Sequence, residues 1–118
     1  MASHIALGKK GELIACGHLR LHHYEIIAVN WRHRRKEIDI IASRDGCLVF
    51  FEVKTLASDL YGWPEKHVTA AKRRNIQAVA SAYMDRMKQL PKVIRFDVIA
   101  ITFQPDGTYE LVHFEDAF

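Results

Sequence analysis

The dipeptide Asp45-Gly46 stands between two apolar-rich runs, residues 37–43 (EIDIIAS) and 47–54 (CLVFFEVK). Asp-Gly in that setting is the strongest short signal for a tight β-hairpin, because a two-residue turn needs φ > 0 at its centre. Such a turn also dictates the pairing. Arg44 faces Cys47, and counting outward puts Ile41 opposite Phe50, Asp39 opposite Glu52 and Glu37 opposite Lys54. Side chains alternate along a strand, so Glu37, Asp39, Glu52 and Lys54 share one face. Ile38, Ile40, Phe51 and Val53 are expected on the other.

This arrangement is costly. Opposed residues have Cβ atoms roughly 4.5–5.5 Å apart, and like charges there repel. Leu48-Val49-Phe50-Phe51 is apolar on both faces, which predicts a central, covered strand. Burial raises the cost of charge further. A cation is therefore expected between Asp39 and Glu52. Lys54 is one candidate, which makes the group a structural ion ladder. A divalent ion is the other, since converging carboxylates suit Mg²⁺ or Mn²⁺.

The rest of the chain builds a mixed α/β domain around this hairpin. Residues 3–22 read as a helix, with Ser3 as N-cap and Ile5, Gly8, Glu12, Ala15, Cys16 and Leu19 on one face. Its three glycines, Gly8, Gly11 and Gly17, weaken it but permit close packing. Residues 24–31 form a first strand. After the hairpin comes a loop with Gly62 and Pro64. Thr69 then caps a helix over residues 70–88 with Ile76, Val79, Ala80, Tyr83 and Met87 inward and Pro91 ending it. Residues 95–103 form a fourth strand, Pro105-Asp106-Gly107 a turn, and residues 108–114 an edge strand. A helical crossover between the third and fourth strands implies a parallel pair. The expected architecture is one domain over residues 1–118, with a mixed sheet flanked by helices.

Charge and composition narrow the partners. The 118 residues carry a net charge of +3, with basic runs at Arg32-His33-Arg34-Arg35-Lys36 and Lys72-Arg73-Arg74. Basic side chains so clustered suit a polyanion, although on charge alone a solvated hairpin tip and a solvated helix face are the simpler reading. Lys72 shares a helical face with Ile76, Val79 and Tyr83, which turns it toward the sheet. No apolar run reaches membrane-spanning length, and no secretory signal opens the chain. Two cysteines make no disulfide framework. These features predict a cytoplasmic protein. His18, His22 and His23 read as helix-surface residues, and Trp31 and Trp63 as packing anchors.

Asp39, then Glu52-Val53-Lys54 across a hairpin, looks like the PD-(D/E)XK nuclease signature. The flanking Gly11-Glu12, Asn30-Trp31-Arg32, Glu37-Ile38-Asp39-Ile40-Ile41-Ala42, Tyr61-Gly62, Lys72, Arg95-Phe96-Asp97-Val98 and Asp116-Ala117-Phe118 sharpen the match. From about Gly8 to Phe118 the chain resembles the YraN family, small bacterial proteins similar to archaeal Holliday-junction resolvases. The resemblance implies a restriction-endonuclease-like core and phosphodiester hydrolysis on DNA or RNA, with DNA favoured and junction DNA among the substrates. It implies Mg²⁺ or Mn²⁺ held by Asp39, Glu52 and the Val53 carbonyl. Lys54 would position water and meet charge on the phosphate. Glu12 resembles a helix glutamate that reaches the metal, and Glu37 an acid that supports the ligands from behind. Arg32, Arg34, Arg35, Lys36, Lys72 and Arg73 would contact the nucleic-acid backbone. Cutting two strands would favour a two-fold homodimer. The chain differs from the family pattern at Lys36, where glycine is frequent, at Ile38, where the signature has proline, and at Leu56, where arginine is common. A non-catalytic nucleic-acid-binding module is the alternative.

Overall fold

The structure, a computed structural model, describes residues 4–57 and 68–118. The expected N-cap at Ser3, the loop glycine and proline at Gly62 and Pro64, and Trp63 lie outside the described residues. The elements are α1 (His4–Leu21), β1 (Glu25–His33), β2 (Lys36–Arg44), β3 (Cys47–Ala57), α2 (Ala70–Met84), β4 (Val93–Phe103) and β5 (Tyr109–Phe114). Their order is the one expected from the sequence. The sheet runs β1-β2-β3-β4-β5, with β3 and β4 parallel and the other neighbours antiparallel. The chain is thus an α/β protein with a mixed five-stranded sheet and two helices.

The Asp45-Gly46 turn forms as its chemistry demands. Both residues have positive φ, 51° and 78°, and the ladder runs Arg44↔Cys47 through Ile41↔Phe50 to Ile40↔Phe51. β3 is central and apolar on both faces, so each helix finds a surface to cover. Against α1, Ala15, Cys16 and Leu19 pack on Ile40, Val49, Phe51 and Ile99. Against α2, Ile76, Val79 and Ala80 pack on Ile41, Phe50 and Val98. Burying a side chain such as Phe50 or Phe51 contributes about 1.5–3 kcal/mol.

Gly11 explains how closely α1 approaches. It is buried, and a Cβ there would sit 2.5 Å from Thr55 Oγ1. No larger residue permits this contact of helix and strand without a shift. The inward stripe of α1 is Gly11, Ala15, Cys16 and Leu19, with Gly8 and Glu12 half-buried at its margin. Thr69 caps α2 as expected, accepting from the Lys72 N–H at 3.2 Å. The helix ends at Met84 and not at Lys88, so Pro91 is not what stops it. The N–H groups of Arg86 and Met87 bond to the carbonyls of Tyr83 and Met84, which tightens the chain into turns beyond the helix.

Two expectations about the hairpin are corrected. The ladder does not continue to Asp39↔Glu52 and Glu37↔Lys54; its last pair is Ile40↔Phe51. Beyond it, Asp39 Oδ2 accepts the Val53 N–H at 2.8 Å, so a side chain replaces the backbone partner. Nor do Ile38 and Ile40 share a face. Ile38 packs with Ile41 and Phe50 on the α2 side, Ile40 with Phe51 on the α1 side. The alternation of β2 breaks at Asp39.

A second polar network is built on Asp97 within β4, paired with Phe51 of β3. Asp97, 0% exposed, accepts from Arg95 Nε and Nη2, both at 2.8 Å, from the Asp116 N–H at 2.9 Å, and pairs with His113 Nε2 at 2.7 Å. Arg95 also donates to the Tyr24 hydroxyl at 2.6 Å. Burial opposes the charge on Asp97, but the bonds from His113, Arg95 and Asp116 outweigh it and hold its pKa below the ordinary value. The network ties β4, β5 and the start of β1 together, and the carboxyl-terminal turn to them.

Candidate metal centre

The site lies where β2 and β3 part. The ladder ends at Ile40↔Phe51, and beyond it α1 brings Glu12, and α2 brings Lys72, to the acids of β2 and β3. Asp39 joins β2 to β3 there through its bond to Val53. Glu37 follows on β2, and Glu12 arrives from α1. One carboxylate oxygen from each of Glu12, Glu37 and Asp39 lies within 4.8 Å of the others, and all three residues are half-buried. Three hard oxygen donors at that spacing can close on one Mg²⁺- or Mn²⁺-sized ion.

Glu52 stands beside this group on β3, and its carboxylate is nearly fully buried. It is engaged by Lys72 Nζ from the first turn of α2. Burial works against the lysine's charge, but the hydrogen bond and charge of Glu52 prevail, and its pKa is raised. Asp39 shows the strain of the cluster most clearly. Burial, then the charge of Glu52, push its pKa up to about 7, against the lowering effect of the Val53 N–H. Carboxylates this crowded favour any added positive charge.

The structure places the other expected residues as follows. Val53 gives its N–H to Asp39. Lys54 lines a cleft of about 450 Å³ with Glu52, Thr69 and Lys72. An adjoining cleft of about 460 Å³ brings Arg35, Lys36, Glu37, Asp39, Glu52 and Lys72 onto one surface, with Asn75 of α2. Arg32 is turned to Glu37 at 3.1 Å. Arg34 and Arg73 are exposed, at the β1–β2 turn and on α2. Lys72 therefore belongs with the carboxylates as well as with the basic rim. Its i, i+4 relation to Ile76 was the sequence signal for that.

Asn30 was missed as a site residue. Its amide donates to Glu12 Oε2 at 3.1 Å, and its φ is 52°. A lone asparagine in a strand of β-branched and apolar residues is the available signal, since asparagine tolerates that conformation better than its neighbours. Trp31 is an anchor as expected, edge-on to Tyr83 at 5.2 Å. His22 and His23 are exposed, whereas His18 is half-buried, 4.3 Å between ring centres from His22.

Fold and site together define a small α/β protein with an acidic pocket opened at a strand break and rimmed by basic side chains. The model of the uncharacterised protein family UPF0102 matches residues 11–101, and the chain belongs to that family, which is the YraN family that its motifs resemble. A UPF0102 protein of Porphyromonas gingivalis is 43% identical over 119 residues, covering 100% of this chain and 87% of the relative. One from Chlorobium phaeobacteroides is 44% identical, covering 95% and 92%. One from Rhodococcus opacus is 39% identical over the full length of both. Among the described residues no helix is long and apolar enough to cross a membrane.

Proposed function

We propose that this protein is a divalent-metal-dependent phosphodiesterase acting on nucleic acid, with DNA favoured, on a restriction-endonuclease-like core. The observation that carries the reading is the seat of Asp39. A half-buried carboxylate with its pKa near neutrality sits among Glu12, Glu37 and Glu52 beneath a rim of Arg35, Lys36 and Lys72. A bound cation would relieve such repulsion, and the rim suits a phosphate backbone.

The donor set fits Mg²⁺ or Mn²⁺, with Asp39, Glu12 and Glu37 able to reach one ion and Glu52 beside them. Such an ion supplies electrophilic polarisation of the phosphate and eases deprotonation of water. The chain's own residues do the rest. Asp39, pinned by the Val53 N–H, holds a fixed oxygen toward the pocket. Lys54, on the wall shared with Glu52, orients the attacking water and offsets charge on the phosphate. Arg35 and Lys36 bind the backbone across the cleft from Lys72.

The Lys72–Glu52 ion pair favours a second reading, a binding module whose acids are satisfied internally. One experiment separates the two. The protein is incubated with Mn²⁺ and duplex, single-stranded, flap and four-way-junction DNA, and structured RNA, beside Lys54→Ala. Cleavage lost in Lys54→Ala supports the enzyme. Salt-dependent binding without cleavage supports the module. Calorimetry showing no Mn²⁺ binding, with or without nucleic acid, refutes the metal centre.

A further inference from the structure

β1 and β2 change phase together at the candidate site. On β1, Ala28 and Trp31 both pack on the α2 side although they are three positions apart. On β2, Ile38 and Ile41 do the same. Regular alternation would put each pair on opposite faces. The pairs Val29↔Ile40 and Trp31↔Ile38 nonetheless keep register, so the residues between them, Asn30 and Asp39, mark the break. Asn30 has φ 52° there. A left-handed residue inside a strand costs conformational energy, which must be offset by what it achieves.

What it achieves is visible at its side chain. The Asn30 amide reaches α1 and donates to Glu12 Oε2 at 3.1 Å. Glu12 is the one member of the oxygen triad that does not come from β2, and it arrives from a helix on the opposite face of the sheet from α2. A flexible glutamate at a helix margin has many rotamers, and the amide selects the one that meets Asp39 and Glu37.

We infer that Asn30 is a positioning residue of the metal centre: its left-handed backbone rephases β1 and β2 at Asp39, and its amide clamps Glu12 into the donor triad. The amide engages Glu12 Oε2, and a carboxylate oxygen has lone pairs enough to accept that bond and still face a cation. Asparagine suits both tasks, because it tolerates positive φ and carries the donor. Aspartate would put a third charge against Glu12. A β-branched residue would refuse the conformation.

The inference rests on the metal-centre reading, and Asn30→Gly isolates it, because glycine keeps the backbone free to hold φ near 52° while deleting the amide. Mn²⁺ alone is titrated calorimetrically into wild type, Asn30→Gly, Glu12→Gln and the double variant, and metal-free melting is recorded for each. Asn30→Gly should melt within about 3 °C of wild type and bind Mn²⁺ roughly tenfold more weakly. In the Glu12→Gln background, Asn30→Gly should weaken Mn²⁺ binding no further. Unchanged affinity in Asn30→Gly, or an equal further loss in the Glu12→Gln background, overturns the inference. Failure of wild type to bind Mn²⁺ counts against the metal-centre reading itself. The clamp is then decided by the Asn30 side-chain amide resonances of the metal-free protein. Resonances that shift in Glu12→Ala support it, and resonances that do not shift refute it.

Discussion

Asp39→Asn should make the metal-free protein more stable at pH 8 while removing its cation site. Asp39 rises from 3.8 to about 7 on folding, chiefly through burial and then through Glu52. At about 1.4 kcal/mol per pH unit, ionising it in the folded protein above pH 7 costs about 4 kcal/mol. The direction follows from linkage. A carboxyl whose folded pKa exceeds its unfolded value weakens the fold from pH 3.8 upward, and the loss is complete above about pH 7. Asparagine keeps the acceptor for the Val53 N–H but carries no charge. Its amide still has to be buried, and this takes back roughly half the gain, which leaves about 2 kcal/mol. For 118 residues that is roughly 6–10 °C in melting temperature. Chelator-treated wild type and Asp39→Asn are melted side by side from pH 4 to pH 8.5. Titrations common to both, such as those of Asp97 and His18, largely cancel in the difference. The advantage of Asp39→Asn should grow from pH 4 and level off above pH 7, and saturating Mn²⁺ should reverse it by stabilising wild type alone. A variant less stable than wild type at pH 8 without metal would refute the claim that the cluster is charged and crowded.

Lys72→Met removes the ammonium from Glu52. Because the lysine is partly exposed, we expect a metal-free loss of only about 1–2 kcal/mol, together with Mn²⁺ binding several-fold tighter by calorimetry. Asp97→Asn should cost about 3 kcal/mol in urea melts, because it strips a buried acceptor from Arg95 and His113, while Mn²⁺ affinity of the folded protein stays unchanged. Gly11→Ala drives a Cβ toward Thr55 Oγ1 and should cost about 1–2 kcal/mol by thermal melting; adding Thr55→Ala should recover most of it.

The local code of the hairpin was legible without coordinates. Asp45-Gly46 specifies its turn because few residues accept positive φ, and the pairing from Arg44↔Cys47 to Ile40↔Phe51 follows by counting. The central place of β3, the parallel β3–β4 pair and the cap at Thr69 were equally local or topological in origin. Lys72 turning to the sheet followed from its spacing to Ile76. Counting failed one residue past Ile40, since it assumes that every strand keeps its phase. Nothing in EIDIIAS announces that Asp39 will take the Val53 N–H, or that Ile38 will change faces.

Sequence by itself therefore determined the elements, their order and the acidic residues available for a site, because turn chemistry and hydrophobic period act over a few neighbours. Tertiary structure decided how those acids meet. Glu12 reaches Asp39 from another element, Glu52 is drawn to Lys72, and Asn30, left-handed within β1, bonds to Glu12. Those contacts join residues 18 or more positions apart in the chain, and their geometry depends on how the helices seat on the sheet, which no short-range pattern encodes.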